Sequence, residues 1–410
     1  MTPNSPAQDM QSIGIVGGGI GGLTLALACR HAGFTEIFVY EQAAQIEGLG
    51  AGIQLSPNAS RVLIALGLKD ALASVASYPQ AVHLRTWKSG YLVAQRPLGK
   101  FSEDRYGFPY YHLHRADLHR LLLDAAYENQ VTVATGKICS SLDTLESTTQ
   151  INFADGSQVA HDVVIGCDGI HSAVRKSLFG ADEPRFTGHM AWRGMVTASG
   201  LPESLLGSNV TAWMGPEKHF VHYPVRGGEL INFVGVVERA PSDDVREESW
   251  RTEGDKAEIV EDFGDWHPDI VALINAADRC FKWALYDRDP LPNWSAGRVT
   301  LLGDACHPML PYMAQGAAMA IEDAWVLSRM LENWEDETAE GFLEYERYRR
   351  PRTNKVVLGS RAQGQQFHLS DRWMVLMRNV RLGLGSRFLP DIAMQQLDWL
   401  HGYDCVKGFD

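Results

Sequence analysis

Nowhere does the chain run to the roughly 20 consecutive apolar residues that a membrane-spanning helix needs, so no part of it reads as a transmembrane segment. Cysteine is scarce and scattered. The six, Cys29, Cys139, Cys167, Cys280, Cys306 and Cys405, form no C-x-x-C pair. That argues against a zinc site or any other metal, and against a disulfide framework; it fits a reducing, cytoplasmic setting. Positive charge is also in short supply. With 37 Lys and Arg against 50 Asp and Glu, the formal net charge is -13. This balance speaks against nucleic acid or an anionic membrane as a partner. It leaves room for a small anionic substrate, because a local pocket can be basic in an acidic protein. The first dozen residues lack a basic n-region and an apolar h-region, and they read as a loose tail rather than a signal peptide. Neither an internal repeat nor a long low-complexity linker is present.

The remainder is ordinary for a globular protein, 45% apolar and 21% charged over 410 residues. That length implies two or three substructures. Ser12 to Val16 reads as a buried strand, followed by a glycine cluster and a helix with Ile20, Leu23 and Leu27 on one face. Ile37–Tyr40 reads as a second strand ending in Glu41, which completes a βαβ unit. A helix is expected over Arg115 to Tyr127 and a buried strand over Val163 to Gly166. From about Phe186 to Glu238 the pattern alternates. His219–Val225 and Leu230–Val237 read there as antiparallel strands joined by a turn at Arg226-Gly227-Gly228. One more buried strand is expected at Arg298 to Leu302, then a helix from Ala317 to about Trp334, then a charged helical region.

Three motifs carry chemistry. Gly17-Gly18-Gly19-Ile20-Gly21-Gly22 satisfies G-x-G-x-x-G. Gly17, Gly19 and Gly22 let the chain turn tightly and bring backbone N–H groups against a pyrophosphate at a helix N-terminus. Glu41, about 20 residues further on, can accept from ribose hydroxyls; it can also be a solvated strand end. Cys167-Asp168-Gly169 follows the Val163–Gly166 strand, and by itself Asp168-Gly169 is equally a turn. Gly303-Asp304-Ala305-Cys306-His307-Pro308 follows another strand and continues to Gln315-Gly316-Ala317-Ala318. Asp304 can accept from a polyol hydroxyl or cap a helix, and His307 reads as structural.

Together these motifs resemble the group A flavoprotein monooxygenases, the family of para-hydroxybenzoate hydroxylase, and most closely salicylate hydroxylase and its relatives. The resemblance spans Gly14 to about Arg352. Gly50 to Ala59, His114-Arg115-Ala116-Asp117-Leu118, Ala191-Trp192-Arg193-Gly194, Gly215 to Arg226 and the tail Trp399 to Asp404 carry it as well. It implies an α/β fold: a Rossmann-like FAD-binding domain with an inserted, mostly antiparallel β-sheet substrate domain and a C-terminal helical region. The expected boundaries are 10–80, 105–183 and 290–345 for FAD, 81–104 and 184–289 for the substrate sheet, and 346–410 for the helical region. It also implies non-covalent FAD contacted by Gly52, Arg115, Asp168, Asp304, Gly316 and Ala317 besides the glycine motif. NADH or NADPH is implied as a transient co-substrate, and a monomer or homodimer as the assembly.

The reaction the resemblance implies is ring hydroxylation of a phenolic aromatic carboxylate with O2, by way of a flavin C4a-hydroperoxide. Salicylate is the first candidate; 3-hydroxybenzoate 6-hydroxylation and 6-hydroxynicotinate 3-monooxygenation are alternatives. A flavin oxidase or dehydrogenase, or a non-catalytic FAD-binding protein, would share the glycine motif. An aromatic ring attacks activated oxygen best when its hydroxyl is ionised, and a free phenol has a pKa of about 10, so a nearby base helps. By resemblance His219 is that base, with Tyr223 beside it in the substrate site. Alternation along a strand places His219, Val221 and Tyr223 on one face and Phe220 and His222 on the other. Only one of the two histidines can therefore face the flavin.

Overall fold

The fold is described by a computed structural model covering residues 11–45, 51–239, 252–334 and 337–409. The first ten residues of the expected N-terminal tail and Gly50 lie outside the described residues. Ile13–Val16 has every residue buried, as a strand covered on both sides must. It pairs in parallel with Val163–Gly166 on one side and Ile37–Glu41 on the other. Thr132–Thr135 and Val299–Leu301 extend this parallel sheet, and Ser295–Ala296 closes one edge as an antiparallel strand, for six strands in all. The helix Ile20–His31 packs on the sheet and against the helix Gly316–Asn333. Being covered on two sides, it buries Thr24, Leu25, Ala26 and Cys29 in addition to the expected Ile20, Leu23 and Leu27.

A second sheet has eight strands: in spatial order Glu253–Gly254, Cys280–Asp287, Arg185–Thr197, Leu230–Glu238, Lys218–Val225, Val210–Gly215, Ala81–Thr86 and Leu92–Pro97. Only the pairing of Val210–Gly215 with Ala81–Thr86 is parallel, so the sheet is mostly antiparallel, as expected. At the turn between Lys218–Val225 and Leu230–Glu238, Arg226, Gly227 and Gly228 all take positive φ, a conformation that glycine adopts without strain.

The two faces of this sheet differ. One packs Trp192, Trp213, Phe220 and Phe233 against the helices Lys256–Phe263 and Pro268–Ala276. The other turns toward the parallel sheet. The helix Thr338–Phe367 joins the two layers: Phe342 and Tyr345 lie in the core of the parallel sheet, and Phe367 packs on the second sheet with Leu84 and Met214. No described helix is long and apolar enough to cross a membrane.

Candidate active site

The glycine turn folds as its composition demands. Gly17 has φ 110°, and a Cβ there would lie 2.3 Å from the Cys167 carbonyl oxygen. A Cβ on Gly22 would lie 2.0 Å from the Gly17 carbonyl oxygen. Gly19 is different. It is the N-cap of Ile20–His31 with no side-chain cap, and a Cβ there would meet nothing within 4 Å. The first two glycines are needed by the protein itself, whereas Gly19 borders open space at a helix N-terminus. Glu41 shapes the turn, accepting from the Gly18 N–H at 2.8 Å and the Ala43 N–H at 2.8 Å.

These differences make a test. Gly22→Ala must displace backbone, so the purified variant is expected to retain little FAD and to melt at lower temperature. Gly19→Ala is expected to weaken FAD binding with little change in the melting temperature of the apoprotein. FAD recovered in the supernatant after denaturation measures the first effect, and a thermal scan the second.

Arg115 opens the helix Arg115–Glu128 directly after the strand Tyr111–His114. Asp304 lies in a single turn, Gly303–Ala305, directly after Val299–Leu301. Both keep accessible surface although protein surrounds them closely enough to perturb their ionisation, which is the mark of a recess rather than of an outer surface. Desolvation lowers the Arg115 pKa against the pull of Asp304, and raises that of Asp304 against the pull of His307 and Arg115. Among the described residues the Asp304 carboxylate accepts no hydrogen bond, so it is no helix cap. Gly316 and Ala317 begin the helix Gly316–Asn333, whose N-cap Gln315 makes no capping bond. Asp168 is engaged otherwise: its oxygens accept from Ser172 Oγ at 2.5 Å and the Val174 N–H at 3.1 Å, at the start of the helix Ala173–Phe179.

Beneath the recess lies a buried ionic network. Arg349 donates to Glu322 and to Asp323, each at 2.6 Å. Asp323 also accepts from the Gly303 N–H at 3.2 Å and pairs with His307 Nε2 at 2.5 Å. Asn58 donates to Glu322 at 2.6 Å, and Gln315 to Ser56 at 2.9 Å. The turn that carries Asp304 is thus tied to the helix behind it.

On the second sheet, cross-strand register sets out a small grid on the face turned toward the recess. Ala191, Val236 and His219 form one row, Arg193, Val234 and Val221 the next, and Met195, Asn232 and Tyr223 the third. Phe220 and His222 lie on the opposite face, as strand alternation requires. His219 Nδ1 is 2.6 Å from His368 Nε2, and His368 Nδ1 is 2.9 Å from Glu238 Oε1. The Tyr312 ring meets the His219 ring edge-on at 5.2 Å, and its buried hydroxyl has no hydrogen-bond partner among the described residues. Burial, with the neighbouring His368 and His189, holds the His219 pKa well below 6.5, so the ring is neutral at neutral pH.

Tyr223 has other neighbours. Its ring lies 4.7 Å from that of His112, and a Cβ on Gly52 would lie 2.7 Å from its hydroxyl oxygen. The Gly52 N–H donates to Asn232 Oδ1 at 2.7 Å, so Gly52 is the point where the strand Gly52–Leu55 meets the second sheet. His219 and Tyr223 share a face but not a contact shell; four residues of strand separate them by about 13 Å. Arg193 is buried in the row between them, stacked near the Phe281 and Trp283 rings, and burial with the charge of Arg115 lowers its pKa to about 10. Sequence reasoning passed over Tyr312, His368, Asn232 and Glu238 as site residues. Arg193 stands out in the sequence only as part of the motif Ala191-Trp192-Arg193-Gly194. His368 carries no local signal, because its partner is 149 residues away.

A parallel sheet with a glycine turn at a helix N-terminus, beside a recess holding opposite charges, defines a dinucleotide-binding fold. Residues 9–360 match the family described as FAD binding domain, and the chain belongs to that family. A 3-amino-4-hydroxybenzoate 2-monooxygenase of Streptomyces platensis is 40% identical over 394 residues, 96% of each chain. A 6-hydroxynicotinate 3-monooxygenase of Pseudomonas fluorescens is 39% identical over 349 residues, 84% of this chain and 89% of that protein. A salicylate hydroxylase solved with substrate superposes with a TM-score of 0.80 at 26% identity, covering 96% of each chain. The protein is an FAD-dependent monooxygenase of the aromatic-hydroxylating class, with NAD(P)H as co-substrate.

Proposed function

We propose that the protein hydroxylates the ring of a small phenolic carboxylate, with His219 receiving the phenol proton. The observation that carries this reading is the chain His219–His368–Glu238. A carboxylate only accepts, so His368 presents Nδ1–H to Glu238. Burial lowers the His368 pKa despite the Glu238 hydrogen bond, so the ring is neutral and its Nε2 is an acceptor. His219 must then donate through Nδ1, which leaves the lone pair on its Nε2 (a tautomer assigned from the hydrogen-bond network). That lone pair is the base. Glu238, with its side chain 44% exposed, links the far end of the chain to solvent.

The residues of the recess fit FAD. The turn that Gly17 and Gly22 shape would hold the pyrophosphate at Gly19 and Arg115, Glu41 would hold the ribose and Asp304 the polyol chain, and Gly316 and Ala317 would offer a helix N-terminus to the ring system. Asp168 shapes the adjoining turn. FAD held there and reduced by NAD(P)H would activate O2 for transfer of one oxygen atom to the ring. Arg193, a buried cation in the row between His219 and Tyr223, suits the substrate carboxylate, and Tyr223 with Asn232 closes the far side. The partners on this reading are O2 and one small aromatic acid. Salicylate remains a candidate, joined by 3-amino-4-hydroxybenzoate and 6-hydroxynicotinate from the relatives.

The test is to screen those three acids and 3-hydroxybenzoate for stimulation of NADH and NADPH oxidation, with 18O2 and mass analysis of the product. One of them is expected to accelerate oxidation and to gain one labelled oxygen on the ring. Unchanged NAD(P)H oxidation with all four, or a product without label, would remove this reading.

A further inference from the structure

The face of the second sheet turned away from the recess holds a cavity of about 360 Å³. That lies within the range of small-molecule sites, roughly 300–1,000 Å³. Its floor follows from strand register. His83, Thr211 and His222 lie side by side on Ala81–Thr86, Val210–Gly215 and Lys218–Val225. Arg85 and Trp213 occupy the next inward-facing positions, two residues along. The roof is the segment around Ser204 to Asn209, together with His267 and Asp269 at the start of the helix Pro268–Ala276.

The lining is unusual in its balance of donors. Arg85 is half-buried and, among the described residues, pairs with no carboxylate; one of its N–H groups donates to the Gly90 carbonyl at 2.7 Å. Asp269, the one acid in the lining, is occupied by Ser204 Oγ at 2.9 Å. His222 Nδ1 accepts from the Trp213 indole at 3.2 Å, so its neutral ring carries the proton on Nε2 as a donor. Asn209 contributes the opposite need, a buried amide oxygen with no partner. Trp213 and His267 stack at 4.8 Å, tilted by 34°, and give the cavity a flat aromatic wall. None of these groups takes part in the chemistry proposed above.

We propose that this cavity is a second ligand site, taking a small planar carboxylate that also carries a hydroxyl or amino donor. Arg85 and the His222 Nε2–H receive the carboxylate, the ligand's donor satisfies Asn209, and its ring lies along Trp213. The strand Lys218–Val225 has His222 on this face and His219 and Tyr223 on the other. Occupancy here is therefore one strand's thickness from the catalytic face.

The probe is 4-hydroxybenzoate, titrated into the FAD-loaded enzyme by calorimetry and by tryptophan fluorescence. One binding event is expected to weaken about tenfold or more in Arg85→Gln, the loss of a charge-assisted hydrogen bond, and to be indifferent to His219→Ala. If Arg85→Gln fails to fold, Ser204→Trp at the exposed rim serves instead and is expected to abolish the same event by filling the cavity. Absence of any binding at millimolar probe would overturn the proposal, as would binding insensitive to both substitutions. Equal or tighter binding of inorganic phosphate would overturn the assignment to a carboxylate.

Discussion

His219→Ala is expected to lower hydroxylation turnover by about 10²–10⁴-fold, the range for a lost general base, with FAD still bound. His219 lies on the second sheet, and the glycine turn, Arg115 and Asp304 belong to the other layer, so the cofactor recess is left intact. His222→Ala is expected to change turnover far less, because its side chain points to the opposite face and stacks near Trp213. Single-turnover measurement with pre-reduced enzyme separates the oxygen-transfer step from reduction. Reversed results for the two histidines would make His222 the base and discard the chain through His368.

The pH dependence follows from the direction of the shift. His219 works as a base when neutral, and burial holds its pKa below 6.5. The rate is therefore retained above pH 6.5 and lost as pH falls through the lowered value. His368 acts through His219 as a positioning residue. His368→Leu removes the acceptor that fixes the His219 tautomer, so the expected signature is a displaced acid limb together with a lower rate. A structural role for His368 would lower stability and leave that limb in place.

Arg349→Met is expected to cost about 3–5 kcal/mol of stability, the effect of removing one partner from a buried ion pair. Arg349, Glu322 and Asp323 are all fully buried. Without the guanidinium Asp323 keeps His307 and the Gly303 N–H, and Glu322 keeps Asn58 and Arg352. Burial pushes the Asp323 pKa up, but His307 and Arg349 outweigh it and hold the carboxyl below its ordinary value. Its contribution to stability is thus present above the unfolded pKa of about 3.9 and lost as pH falls through the lower folded value. Chemical denaturation at neutral pH measures the loss. Reduced FAD retention is expected alongside it, since Asp323 accepts from the Gly303 N–H and so steadies the turn of Asp304. Stability within about 0.5 kcal/mol of the parent, the usual range for neutral surface changes, would show that the network is not a structural keystone.

The fold was legible wherever local pattern and burial coincide. Ser12 to Val16 and Val163–Gly166 read as buried strands because all but the leading serine are apolar or glycine, and His219–Val225 read as an antiparallel strand from its alternation, although the strand that forms is covered on both faces. Arg115 was placed by resemblance, at the start of the helix expected over Arg115 to Tyr127; the strand before it, Tyr111–His114, carries two histidines and gave no local signal. Asp168 was ambiguous between turn and ligand, and in the structure its oxygens go to the start of a helix. The long helix Thr338–Phe367 gave no sign of its importance: it read only as part of a charged helical region, yet Arg349 and Arg352 are buried, and Pro351 sits within it.

The sequence by itself determined the βαβ unit with its glycine turn, the inserted alternating strands and the split of His219 from His222, since all of these depend on neighbours within a few residues. Only the tertiary structure decided which groups share a site. It set His368 and Glu238 behind His219, Tyr312 against its ring, Gly52 against Tyr223, and Arg349 between two carboxylates. Those partners come from distant segments, and hydrogen bonds between them depend on how the two sheets and the long helix pack, which no local period records.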